Sequence, residues 1–207
     1  MELVTAASDA VAQHHALAVL IAFLAAIVEA VAVLGILVPG TPILMAVAAA
    51  AAAAGLPILP ILIVSVVGAV IGDGISFWLG HAYGGHLRRA WPLRQRPWIM
   101  ARADGFFSRY GTASVAVCRF IPVLRSTVPL VAGMSGLAIS RFFFANVASA
   151  LVWAPVHVLP AQLAGQTLTR IEGGDWRGAA LLGGALVAGL AVVWIAHRLL
   201  RRYVTSG

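Results

Sequence analysis

Apolar runs interrupted by a few charges and by proline-glycine breaks divide this chain into segments. Residues 16–38 are apolar except for Glu29, and their 23 positions are long enough for a membrane-crossing helix. Pro39-Gly40-Thr41-Pro42 then breaks the run. Only 12 apolar residues, 43–54, follow before Gly55-Leu-Pro-Ile-Leu-Pro60. That is too short to cross and fits a re-entrant half-helix over 39–54. Residues 57–80 form a second span carrying Asp73. A polar stretch over 83–112 comes next, with Arg88, Arg89, Arg94, Arg96, Arg102 and Arg109 against Asp104. It reads as a basic cytoplasmic loop, or as a surface segment attracted to anionic lipid through Trp91, Trp98, Phe106 and Phe107.

The next segment, 112–136, is apolar yet holds Arg119 and Arg125, and Pro122 and Pro129 forbid one uninterrupted helix there. An arginine at membrane depth costs roughly 2.5–3.5 kcal/mol on insertion scales. Two of them six residues apart point to use rather than accident. Residues 142–169 then run for 28 positions without Asp, Glu, Lys or Arg, with Pro155 and Pro160 expected to kink or end the helix. A short loop with Glu172, Asp175 and Arg177 leads to a last span, 178–196, and to a basic tail with Arg198, Arg201 and Arg202. Glu2 and Asp9 stand where a signal peptide would be basic, so the first helix is read as retained.

Charge distribution then selects a topology. With the arginine loop in the cytoplasm and both broken segments re-entrant, there are four full crossings and both termini are cytoplasmic. The near-neutral 171–177 loop falls outside. Segments 39–54 and 112–136 enter from opposite sides, each followed by Gly-Leu (55–56 and 136–137) and a long helix. This is an inverted-repeat arrangement within a single membrane domain, 1–207, although the halves match weakly in sequence. The expected fold class is all-α and polytopic.

Composition agrees with that class. Of 207 residues, 61% are hydrophobic and 10% charged, and the mean hydropathy is +0.97. The net charge of +7 comes from 14 arginines without a lysine, a skew that points to a GC-rich bacterial genome. Most arginines flank apolar spans, which argues against a nucleic-acid partner. Cys118 alone excludes an internal disulfide and a cysteine metal site, and reads as a small buried hydrophobe. His14 and His15 read as interfacial, His81 and His86 have poor ligand spacing, and His157 lies in an apolar span. The six tryptophans fit interfacial belts or packing. No metal or cofactor is expected.

Four ionisable residues remain at membrane depth: Glu29, Asp73, Arg119 and Arg125. Their charges sum to zero, which suggests mutual pairing. One reading is a structural cluster that locks the broken segments together. The other is that the arginines bind a phosphate-like headgroup, aided by half-helix N-termini, while Glu29 or Asp73 exchanges a proton. An enzyme of lipid phosphates is disfavoured, since no HExxH, Gly-x-Ser-x-Gly or P-loop occurs.

At these residues the chain resembles the DedA membrane proteins, the bacterial branch of the SNARE-associated or VTT-domain group. Four blocks carry the likeness: Glu29 followed by Pro39-Gly40; Gly72-Asp73-Gly-Ile-Ser-Phe77-Trp78-Leu-Gly80; Tyr110-Gly111; and Arg119-Phe-Ile-Pro122-Val-Leu-Arg125 through Ala132-Gly133 to Arg141-Phe142, Asn146 and Trp153. The resemblance covers roughly residues 20–165. It implies opposed re-entrant segments in the bacterial inner membrane. It also implies translocation of undecaprenyl phosphate or phospholipid between leaflets, in some members linked to proton-motive force. The charges on which such proteins depend correspond to Glu29, Asp73, Arg119 and Arg125. Pro39, Gly40, Pro42, Pro122, Pro129 and Gly133 are the expected structural residues of the broken segments. Thr41 stands where many relatives carry an acid, and Phe77 and His81 where they often carry Tyr and Arg. The expected partners are membrane lipids and protons, with a homo-oligomer also open. A proton-coupled carrier of a small ion and a non-transporting assembly factor are the other readings.

Overall fold

The computed structural model describes residues 9–11, 13–32, 34–89 and 97–172, and among these it is helical without strands. The helices are α1 (His15–Ala30), the single turn α2 (Leu34–Leu37), α3 (Gly40–Ala53), α4 (Leu59–Arg89), α5 (Pro97–Cys118), α6 (Pro122–Met134) and α7 (Ile139–Glu172). Within α4 and α7, Leu59–Leu87 and Ile139–Ile171 are long and apolar enough to cross a membrane. The 14 residues of α3 rise only about 21 Å at 1.5 Å each. The expected last span, the 171–177 loop beyond α7 and the basic tail lie outside the described residues.

Three expectations change. The apolar run 16–38 is not one helix: it breaks after Ala30, where Val31 is extended (φ −75°, ψ 128°). Hydropathy cannot reveal such a break. It is held by Ser76 on α4, whose Oγ accepts the Ala32 N–H at 2.8 Å and lies 3.2 Å from Ala30 O. A neighbouring hydroxyl thus serves backbone groups that lipid would leave unsatisfied. The stretch 83–112 is largely helical rather than a loop, since α4 continues to Arg89 and α5 begins at Pro97. Charged side chains on an amphipathic helix do not oppose helix formation, and α5 buries Phe107 while exposing Phe106 and Tyr110. Gly111 (φ 50°, ψ −129°) divides α5 into two pieces. Finally, Pro129 lies inside α6, and Pro155 and Pro160 lie inside α7 without ending it. Each removes one ladder hydrogen bond, a loss that packed membrane helices accommodate. Pro122, in contrast, opens α6, where a missing N–H costs nothing.

The short helices end identically. At the end of α3, Gly55 (φ 71°) donates to Ala52 O and Leu56 donates to Ala51 O. At the end of α6, Gly136 (φ 72°) donates to Gly133 O and Leu137 donates to Ala132 O. These are glycine-terminated helix caps in which the left-handed residue reverses the chain into the long helix that follows.

Packing is crosswise. α3 lies on α7 and α6 lies on α4, so each short helix rests on the long helix of the other half. Close approach rests on small residues, as is usual where lipid supplies no hydrophobic drive between helices. A Cβ on Gly133 would run into Phe77 O, one on Gly80 into Leu130 O, and one on Gly165 into Ala49 O. Two apolar clusters fill the interior. One gathers Leu44, Ile61, Trp153 and Val158, and the other Phe77, Phe107, Cys118 and Phe142.

Candidate functional site

Five helices and the break between α5 and α6 converge on a polar cluster between these apolar layers. Glu29 occupies the last turn of α1, Thr41 the first turn of α3, and Asp73 the middle of α4. Arg119 sits in the break between α5 and α6, and Arg125 in the first turns of α6. Asn146, Ser149 and Trp153 follow at i, i+3 and i+7 on one face of α7. Glycines allow the convergence. A Cβ on Gly72 would lie 2.7 Å from Ala30 Cβ, so α4 can press Asp73 inward against α1. A Cβ on Gly40 would lie 2.7 Å from Glu29 Cβ and 3.0 Å from its Oε2, so the start of α3 must be bare to admit the carboxylate.

The four charges form two buried ion pairs. Arg119 Nη2 meets Asp73 Oδ2 at 2.5 Å, and its Nη1 donates to Ser149 Oγ and to Asn146 O, each at 2.7 Å. Asn146 Nδ2 in turn donates to Val70 O at 3.1 Å, tying α7 to α4. Arg125 Nη1 donates to Glu29 Oε1 at 2.8 Å and to Thr41 Oγ1 at 3.2 Å. Thr41 Oγ1 donates to the same Glu29 oxygen at 2.5 Å. The Arg125 guanidinium also lies over the Trp153 ring, 4.6 Å from its centroid. None of the four charged residues is more than 9% exposed. Such pairs are tolerable only because charge and hydrogen bonding are answered locally.

Several buried polar atoms have no partner: Glu29 Oε2, Arg125 Nη2, Ser126 Oγ and Asn146 Oδ1. Buried hydrogen-bonding groups are normally satisfied, so such a concentration marks a place where water or a ligand fits. Donors with a fixed positive charge suit an oxyanion, and the guanidinium fork fits carboxylate and phosphate alike.

The structure thus brings Glu29, Asp73, Arg119 and Arg125 together through residues of both halves. Pro39 caps α3, Gly40 and Pro42 lie in its first turn, and Gly133 lies in the α4–α6 contact. His157 does not join the charges: its Nδ1 is 2.8 Å from Trp153 O and its ring lies beside the Trp153 indole. Trp153 itself, 1% exposed, is a platform for Arg125 rather than part of an interfacial belt. Ser76 and Ser149 carried no chemical signal in the sequence, because a lone serine in an apolar run looks the same whether it holds a partner or not. Only their partners reveal them.

A VTT-domain family model matches residues 38–163, more than half of the chain. The Inner membrane protein YabI of Escherichia coli K12 is 29% identical over 150 residues, covering 72% of this chain and 58% of its own length. Uncharacterized membrane protein BU139 of Buchnera aphidicola is 23% identical over 155 residues, covering 75% and 60%. Uncharacterized membrane protein Rv2637 of Mycobacterium tuberculosis is 34% identical over 93 residues, 43% of each chain. The match therefore spans about three fifths of the length of the first two relatives. No solved structure matches the chain.

Proposed function

This chain belongs to the VTT-domain (DedA) family of membrane proteins, and on that premise we propose that it moves a phosphate-bearing lipid between the leaflets of the bacterial inner membrane. The substrate class is undecaprenyl phosphate or a phospholipid. The observation that carries this reading is the buried cluster itself, two arginines paired with two carboxylates beside unpartnered donors. A phosphate crossing a hydrocarbon layer needs such donors midway, because an isolated ion there has no other solvation. The cycle makes and breaks no covalent bond, and protons are its proposed coupling ion.

In this reading α3 and α6 are half-helices that enter from opposite faces and meet at the cluster. Four helices cross, both termini face the cytoplasm, and the arginines of 83–112 face the cytoplasm with them. The whole chain is one membrane domain. Support comes from the length of α3, the identical exit turns and the crosswise packing.

A second reading is favoured by the fact that each of the four charges in the cluster already has an opposite partner. The pairs would then only lock the fold, and the protein would be a non-transporting assembly factor. Reconstitution separates the two. Native protein in liposomes should accelerate exchange of labelled lipid phosphate, and Arg125→Gln should abolish that exchange while remaining folded. Normal exchange by a folded Arg125→Gln variant would leave the locking role. A proton flux driven by a small inorganic ion without lipid exchange would instead make the protein an ion carrier.

A further inference from the structure

The two ion pairs are not equivalent. Arg119 uses both terminal nitrogens, holding Asp73 on α4 with one, and Ser149 and the Asn146 carbonyl on α7 with the other. Among the described residues no buried side-chain atom of Arg119, Asp73 or Ser149 lacks a partner. The Arg125 pair is incomplete. Its Nη1 serves both Glu29 and Thr41, while Arg125 Nη2, Glu29 Oε2 and the neighbouring Ser126 Oγ have none.

We propose that the pairs divide the work: Arg119–Asp73 is a permanent clamp, and Arg125 is the group that a lipid phosphate takes from Glu29, which then accepts a proton, with Thr41 as positioning residue. This rests on the headgroup reading above. Two donors on consecutive residues of α6, Arg125 Nη2 and Ser126 Oγ, have no partner to give up when a phosphate arrives. As the guanidinium turns its charge to the phosphate, Glu29 is left as a buried anion beside another anion. Like charges in a dry site drive one carboxylate to protonate. The proton comes from water and adds to Glu29 Oε2, the oxygen without a partner.

Thr41 suits this exchange because its hydroxyl both donates and accepts. It now donates to Glu29 Oε1 and accepts from Arg125. After exchange it can keep the carboxyl in place without Arg125. Trp153 backs the guanidinium from α7 whatever the charge on Glu29. The other titratable groups around Glu29 are Arg125 on α6, Asp73 on α4 with its partner Arg119, and His157 behind Trp153 on α7. Asp73 and Arg119 are held by the clamp, and His157 is engaged with the Trp153 carbonyl.

The test is calorimetric titration of the full chain in phosphate-free maltoside micelles with dioctanoyl phosphatidylglycerol, a diester that stays ionised near neutral pH. Buffers of different ionisation enthalpy give the proton count. Native protein should take up one proton per lipid bound, and its Kd should rise by up to about tenfold per pH unit as protonation becomes harder. Glu29→Gln should bind without proton uptake and with a flat pH profile. Thr41→Val should weaken binding and shift that profile, and Thr41→Ser should restore both. Ser149→Ala should lower the melting temperature and leave Kd and proton count unchanged.

Proton uptake that persists in Glu29→Gln, or that is lost in Ser149→Ala, overturns the division. Lipid binding without proton uptake in the native protein overturns it too, while leaving the headgroup reading intact. No binding of the lipid defeats both. A parallel titration with inorganic phosphate, taken as the difference between native and Arg125→Gln, identifies the source. Weak binding there keeps the lipid as ligand, and equal or tighter binding makes free phosphate the ligand and overturns the lipid assignment.

Discussion

The half spanning α1 to α4 and the half spanning α5 to α7 leave their short helices by the same turn and enter them by different ones. Gly55 and Gly136 lie 81 positions apart, and so do Gly84 and Gly165, which face the short helix of the opposite half. Ser65 and Asn146, both buried, keep the same spacing. Ahead of the short helices the register is lost. The first half needs residues 31–39 and the extra turn α2 to pass from α1 to α3, whereas the second passes from α5 to α6 over 119–121. The exits are written locally, by a glycine at positive φ. The approaches depend on tertiary contacts, Ser76 in one half and the Arg119 clamp in the other. The approaches are also where all four charges meet.

The largest effect should come from the second approach. Arg119→Met leaves Asp73 buried and unpaired, and breaking a buried pair costs about 3–5 kcal/mol. Unfolding followed by steric trapping in bicelles should show a loss of that size, and a loss below 1 kcal/mol would remove the clamp from the account. Gly133→Val forces α6 away from Phe77 O on α4, an overpacking cost of about 1–3 kcal/mol or more. Gly85→Val, where a Cβ meets nothing, is its control.

The first approach has a counterpart of intermediate size. Ser76→Ala strands the Ala32 N–H, for about 1–3 kcal/mol. Hydrogen exchange should then rise at residues 31–32 and stay unchanged at 119–121. Equal changes at both breaks would mean that the two approaches are coupled. The smallest effects should come from the shared exits. Gly55→Ala and Gly136→Ala should each cost about 1–2 kcal/mol, the penalty of a side chain in the left-handed region. Near equality is the point, since a large inequality would show that one of the turns is supported by something other than its glycine.

This contrast explains what was legible in the sequence. A charge inside an apolar run announces itself, so Glu29, Asp73, Arg119 and Arg125 stood out, as did the Gly-Leu exits. The break at Val31 did not, because the side chains around it are as apolar as those of a continuous span. Pro129, Pro155 and Pro160 were ambiguous for a different reason. Proline forbids one hydrogen bond, and whether that ends a helix depends on neighbours that sequence does not place. Thr41 was visible only as a departure from a family pattern, and its bridge between Glu29 and Arg125 required coordinates.

The measurement that bears most directly on the function is exchange of fluorescent lipid phosphate between leaflets of proteoliposomes, for native protein beside Arg125→Gln. The native protein is predicted to accelerate exchange well above protein-free liposomes, and the folded variant to fall back to that background. Equal rates for native protein, variant and empty liposomes would contradict the account.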